Sequence, residues 1–190
     1  GDELFFGDWW DKETEYMCSK YDLTDPVKKI VFRKTFGVQY QYQDLIAFAS
    51  SLQKWDYIEK ISTQIDLGIG NSAESDAEEA FFVLQAHVLK GDSTTDHPKW
   101  VEEIRKGRHK KSKLQLDILE AIDAQDLKVC NKALKALFTH FKKSVFNKGG
   151  ETNKLCLYGG VLYHFAKHRG LDVTLDDKFI DYVINFDEAE

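Results

Sequence analysis

Two histidines placed four residues apart on a predicted helix have the spacing best suited to chemistry in this sequence. His164 and His168 would point both imidazole rings to one face of that helix, where the rings can bind one metal ion. A zinc site needs a third and often a fourth ligand, and no nearby Cys, Asp or Glu has a familiar metal-site spacing to this pair. His168 also lies at the predicted helix end, where a cation suits the helix dipole. We therefore expect structural roles for both histidines.

Three cysteines and one further histidine are the other candidates for nucleophilic or acid–base chemistry. Cys130 and Cys156 lie on or beside apolar helical stripes, and a catalytic thiol would need a base nearby to lower its pKa. With Cys18 the number of cysteines is odd and no pair forms a CxxC motif, which indicates reduced thiols packed in the core of a cytosolic protein. His140 would face a groove, but a lone helical histidine is usually structural or solvated.

The short motifs that carry a known mechanism are missing from the sequence. There is no phosphate-binding GxxxxGK[ST] loop, no GxSxG elbow and no HExxH zinc motif. We therefore expect that the chain is not an enzyme and that it needs neither a metal nor an organic cofactor.

The charge balance argues against nucleic acid as a partner. The chain has 26 Lys and Arg against 32 Asp and Glu, a net charge of −6, whereas nucleic-acid binding needs a basic surface. The one strongly basic run, at residues 105–113, has six Lys or Arg and no acid, but it lacks interleaved aromatic residues. We interpret it as a solvated turn between helices.

Two groups of acidic residues are the candidate partner-binding residues. The segment 171–190 has seven acids against the single cation Lys178, and an acidic surface of this kind can steer a basic protein partner. The alternative is ordinary solubilising charge, which stays equally open for this segment and is the favoured interpretation for the group at residues 74–79. The acids chosen from the two groups are Asp172, Asp176, Asp177 and Asp181 in this segment, and Glu74, Glu78 and Glu79 earlier in the chain.

Exposed aromatic residues would be a second sign of a protein partner, because Trp and Tyr dominate interface hot spots. Trp9, Trp10, Tyr40 and Tyr42 are the candidates. For any one of them, packing in the core is the simpler interpretation.

The elements that must position these side chains are helices, because apolar residues recur at helical spacing along almost the whole chain. Mostly short connections separate one such stripe from the next, and the chain has only two prolines. The pattern predicts an all-α fold of stacked antiparallel helical hairpins, arranged as a bundle or a short irregular solenoid. The clearest stripe consists of Leu127, Cys130, Leu134, Leu137, Phe138, Phe141 and Val145.

No linker marks a domain boundary, so we predict one helical domain over residues 1–190. The stretches 68–75 and 91–97 are the best candidates for hinges or loops, and Gly91 and Gly170 are expected to end helices. No window approaches a membrane span and no signal peptide opens the chain, so we expect a cytoplasmic protein without a membrane partner.

Parts of the second half resemble a known family. The run 117–126 precedes a helix with Ala133-Leu134 and Leu137, and it is followed by residues 157–162 (LYGGVL) and by Gly170-Leu171-Asp172. This arrangement is similar to helical immunity proteins of bacterial polymorphic-toxin systems, of the immunity-protein-49 or PoNi type. The earlier segment 42–49, followed by a tryptophan, also resembles their first hairpins. At the closing motif of the PoNi type this chain differs, with KFIDY at residues 178–182.

The resemblance implies a non-enzymatic role in bacterial competition. Such a protein binds a cognate toxin in the cytoplasm and blocks its active site, and a nuclease toxin would be basic because it binds phosphates. Two other functions stay open. One is a helical adaptor that presents a groove to a peptide or partner protein, and the other is an enzyme whose site is not visible from spacing.

Overall fold

A computed structural model of the chain describes residues 38–69, 77–146 and 155–184. Residues 1–38 and 39–190 form two compact units, and nearly all described residues belong to the second unit. The described ranges contain helices and no strand, so the all-α class predicted from the sequence is confirmed. The single domain over 1–190 and the stacking of hairpins stay predictions.

Eight α-helices and one short 3-10 helix occur in the described ranges. None of them is long and apolar enough to cross a membrane. In chain order they are α1 Val38–Ser51, α2 Trp55–Ile69, α3 Ala77–Leu89, the 3-10 helix Thr94–Asp96, α4 Pro98–Lys106, α5 Lys110–Asp123, α6 Leu127–Phe146, α7 Leu157–His168 and α8 Asp177–Ile180.

Helix α3 is the centre of the core. Every residue from 80 to 86 is buried, so this helix is covered on all sides, and it packs against α2, α4 and α5. The apolar stripe of α6 packs against α5 and α7 with Cys130, Leu134 and Phe138 fully buried, as its spacing predicts. Leu127 departs from this prediction: as the first residue of α6 it is 40% exposed. One continuous apolar core therefore connects the described helices.

Helices α3 and α5 run in the same direction. Glu78 and Lys111, both in the first turns of these helices, form an ion pair. At the other end, Asp123 closes α5 and bonds Thr94, which follows α3. Helix α4 returns the chain between them, and this arrangement brings the turn after α3 against the end of α5.

Four helices end in the same left-handed turn. After α1, α3, α5 and α7, one residue has a positive φ and the next main-chain amide bonds a carbonyl five residues back, which is the Schellman arrangement. Glycine occupies this position at Gly91 (φ 110°) and Gly170 (φ 85°), as expected from the sequence. The other two positions are filled by Gln53 (φ 56°) and Gln125 (φ 52°), where no glycine marks the stop.

Of the two predicted hinges or loops, the stretch 91–97 lies within the described residues. Residues 70–76 lie outside the described residues, and α2 continues through Gly68 to Ile69. The stretch 91–97 is a turn that contains the 3-10 helix, and several hydrogen bonds fix it to α5. It is therefore a tethered loop in this structure.

Candidate functional site

The histidines His164 and His168, considered above as a metal pair, do not share a site. His164 is buried, and its Nε2 lies 2.9 Å from the carbonyl oxygen of Ile184, to which it donates. The His168 ring stacks on Trp55 with centroids 4.3 Å apart, and partial burial together with Arg169 lowers the pKa of His168. Each ring has its own packing partner, which supports the structural roles expected from the sequence.

The two described cysteines are buried thiols. Burial raises the pKa of Cys130 to about 11 and that of Cys156 to about 12, so both hold their protons at neutral pH. The core packing expected for these two is confirmed. Cys18 lies outside the described residues. His140 is half-buried, and desolvation together with Lys110 and Lys111 lowers its pKa.

The basic run at residues 105–113 spans the end of α4, the turn and the start of α5. Arg105 bonds Asp117 at 2.6 Å and Glu120 at 2.5 Å, while Lys106 bonds Glu102 at 2.6 Å. A third cation of the run, Lys111, pairs with Glu78. Acids of the same fold therefore compensate half of its six cations, which weakens the run as a phosphate-binding surface.

The C-terminal acids are exposed, and a buried apolar side chain anchors the segment that carries them. Asp172, Asp176, Asp177 and Asp181 are all exposed, whereas Phe179 between them is buried in the core. Lys135 and Lys178 bond Asp176 at 3.0 and 3.2 Å, and these hydrogen bonds lower the pKa of its carboxyl group.

Two large apolar side chains are exposed beside these acids. Ile180 is 45% exposed and Leu155 is 42% exposed. The amide of Cys156 bonds the carbonyl of Tyr182 at 2.7 Å, so Leu155 lies next to the segment that follows Ile180. The exposed residues Leu155, Asp172, Asp177, Ile180 and Asp181, which lie on or next to the segment 171–184, are together called the acidic face below.

The second acidic group is only partly described. Glu74 and the side chain of Glu79 lie outside the described residues, as do Trp9, Trp10 and the side chains of Tyr40 and Tyr42. Glu78 is half-buried and its carboxylate pairs with Lys111 of α5. This carboxylate holds two helices together and is therefore a poor candidate for contact with a partner.

A histidine–aspartate–histidine cluster lies between α3 and α4. Oδ2 of Asp92 lies 3.0 Å from Nδ1 of His87 and 3.0 Å from Nε2 of His97. The two imidazole rings are in contact, with centroids 4.0 Å apart. Partial burial tends to raise the pKa of Asp92, but the hydrogen bonds from His97 and His87 outweigh it and hold that pKa below its ordinary value.

Three local motifs place these side chains. Gly91, in the left-handed conformation, lets the amide of Asp92 bond the carbonyl of His87 at 3.2 Å, which brings residues five apart side by side. Ser93 and Asp96 then form a capping box around the 3-10 helix. His97 ends that helix and directly precedes Pro98, the first residue of α4.

Sequence reasoning did not find this cluster. The sequence predicts a hinge or loop at residues 91–97 and no site there. The spacing is His-x4-Asp-x4-His, and residues five positions apart do not share a helix face. The available signal was Gly91, since a glycine helix stop juxtaposes the residues on either side of it.

Comparison of this chain with protein-family models, with curated proteins and with solved structures finds no match.

Proposed function

We propose that this chain is an inhibitor of the immunity type, which binds a basic cognate toxin through its acidic face and blocks the toxin's active site. The observation that carries the proposal is the combination of exposed carboxylates with the exposed apolar side chains Ile180 and Leu155 on a packed base. Protein interfaces commonly join an apolar centre to a polar rim.

Buried side chains hold the segment that carries the acidic face in place, although most of residues 171–184 is not helical. Phe179, Val173 and Val183 are buried. The amide of Thr174 donates to Oδ1 of Asn131 at 3.0 Å, which ties the segment to α6. A surface that is already ordered loses little conformational entropy on binding, so it suits an inhibitor that must bind tightly.

The charges of the face are available to a partner. Among the described residues, Asp172, Asp177 and Asp181 form no ion pair, whereas Asp176 is held by Lys135 and Lys178. Three exposed carboxylates without an ion pair would attract a basic toxin and speed its association. For a nuclease toxin they would occupy the positions of substrate phosphates, which is how binding would block catalysis.

The test uses the full chain as bait in a lysate of its source organism. We expect one stoichiometric basic protein that is toxic when expressed alone and harmless with this chain. The variant Asp177→Asn/Ile180→Ser/Asp181→Asn should lose both capture and protection. The control Glu59→Gln/Glu103→Gln changes two exposed acids on α2 and α4 and should keep both.

A partner that the face variant retains would contradict the acidic face as the binding surface. A partner that is harmless when expressed alone would contradict the immunity role itself. Circular dichroism of each variant confirms that a loss of capture does not come from unfolding.

The alternative function is a helical adaptor. Phe48 on α1 and Leu52, which directly follows this helix, are 50% and 49% exposed, and such a pair can anchor an apolar peptide. Loss of partner capture in Phe48→Ser/Leu52→Ser, with capture retained by the acidic-face variant, would favour the adaptor.

A further inference from the structure

We propose that His87, Asp92 and His97 form a binding site for one divalent transition-metal ion, with zinc as the best fit. The donor atoms are Nδ1 of His87, Oδ2 of Asp92 and Nε2 of His97, and all three lie within 4.8 Å of one another. Two imidazoles and one carboxylate are a ligand set that zinc accepts readily. The site is independent of the acidic face.

The geometry is close to what zinc requires. Donors that each lie about 2.0–2.2 Å from a tetrahedral zinc are about 3.3–3.6 Å from one another. Oδ2 of Asp92 already lies 3.0 Å from each histidine nitrogen, so it must move outward by only a few tenths of an ångström. The two histidine nitrogens lie within 4.8 Å of each other, and rotation of the rings must bring them to the same separation.

The hydrogen-bonded arrangement shows where the metal would lie. Oδ2 of Asp92 accepts an N–H from each histidine, so two hydrogens point at one carboxylate oxygen. A metal ion takes the place of these two hydrogens, and each neutral ring then carries its hydrogen on the opposite nitrogen. The carboxylate keeps its charge and offsets one of the two charges of the ion.

Asp123 supports the site from α5. Its Oδ2 accepts hydrogen bonds from Ser93 Oγ at 3.1 Å and from the amide of Thr94 at 2.6 Å, between two of the ligands. These bonds hold the loop in place before any metal binds. A site with three protein ligands leaves one coordination position open, which water or a side chain of a partner would fill.

The side chains are accessible to an ion in solution. His87 and His97 are 17% and 18% exposed, and Asp92 is 44% exposed. The buried thiols of Cys130 and Cys156 are much less accessible and keep their protons at neutral pH, so they compete poorly for zinc.

The test is calorimetric titration of the reduced, chelator-treated full chain with zinc chloride. We expect one ion per chain, and an affinity that falls more than about a hundredfold in His97→Gln and in Asp92→Asn, since even changes beyond the ligand shell cost ten- to a hundredfold. His109→Gln replaces an exposed histidine of the α4–α5 turn and should bind like the wild type. Zinc should raise the Tm of the wild type and of His109→Gln, but not that of His97→Gln.

X-ray absorption at the zinc edge provides a second readout that does not depend on how the variants fold. We expect only nitrogen and oxygen donors, at about 2.0–2.2 Å. A sulfur donor at about 2.3 Å would place the ion on a cysteine and overturn the proposal. Absence of binding by the wild type would also overturn it, as would unchanged affinity in both ligand variants.

Discussion

Oδ2 of Asp123 accepts hydrogen bonds from both the main-chain amide and the hydroxyl group of Thr94, at 2.6 and 2.7 Å. Thr94 is only 3% exposed, so water cannot replace this acceptor. One carboxylate at the end of α5 therefore fixes the turn between α3 and α4, and with it the positions of His87, Asp92 and His97.

The substitution Asp123→Asn should lower the free energy of unfolding by about 2 kcal/mol, because hydrogen bonds to a charged group contribute roughly 1.5–3 kcal/mol. The asparagine side chain keeps one acceptor oxygen but lacks the negative charge of the carboxylate. Urea denaturation followed by circular dichroism measures the change. Glu103→Gln, at an exposed acid of α4, is the control and should change stability by less than about 0.5 kcal/mol. Equal stability of Asp123→Asn and wild type would show that the turn does not depend on this carboxylate.

The substitution Gln125→Gly should raise the free energy of unfolding by about 0.5–1 kcal/mol. Gln125 has φ 52°, a conformation that glycine adopts without strain. The gain is limited because the Gln125 side chain also donates to the carbonyl of Ile122 at 2.9 Å. Gly91→Ala, at φ 110°, tests the same argument in the opposite direction and should destabilise the fold. A gain in stability from Gly91→Ala would contradict the left-handed turn.

Helical periodicity is enough to predict the class of this fold and the buried side of α6. Leu134, Leu137 and Phe138 are buried because their spacing places them on one face. The left-handed turn at Gln125 could not be predicted, since glutamine does not signal a helix stop. The contact between Asp123 and Thr94 joins residues 29 positions apart and depends on how α3 and α5 pack.

The contrast between local sequence pattern and tertiary packing also explains which candidate sites could be predicted. The acids of 172–181 could be identified from composition alone, and the structure adds the exposed Ile180 beside them. The cluster of His87, Asp92 and His97 could not be identified from helical spacing, because a turn rather than a helix face assembles it.

The substitution Gln115→Met should raise the free energy of unfolding by about 1–2 kcal/mol. Gln115 is 1% exposed, and neither its Nε2 nor its Oε1 has a hydrogen-bond partner in the described part of the chain. A buried amide without a partner loses its hydration, and methionine has a similar shape without that cost. Thermal denaturation measures the effect. A fall in Tm would show that the amide makes a stabilising contact, for example with a buried water.

Stability should fall as the pH rises above 9, in part through Cys156. Its folded pKa of about 12 is above the ordinary value of 9.0, so its contribution is complete below pH 9 and is lost as the pH rises toward 12. One such thiol changes the free energy of unfolding by up to about 1.4 kcal/mol per pH unit. Lysines and tyrosines titrate in the same range, so the comparison is with Cys156→Ala, whose stability should depend less steeply on pH. Equal slopes would contradict the raised pKa.

The acidic face is the central claim, and the rate of association with the captured toxin tests it most directly. The rate constant should be measured by stopped flow at several salt concentrations for the wild type, for Asp177→Asn/Asp181→Asn and for the control Glu59→Gln/Glu103→Gln. Asp176 is left intact because its ion pairs with Lys135 and Lys178 hold the segment in place.

Electrostatic steering accelerates association by about 10–1,000-fold, and it weakens as salt increases. We therefore predict that Asp177→Asn/Asp181→Asn binds several-fold more slowly at low salt and depends less on salt, while the control matches the wild type. Rate constants that are the same for all three proteins at every salt concentration would contradict the acidic face as the surface that receives the toxin.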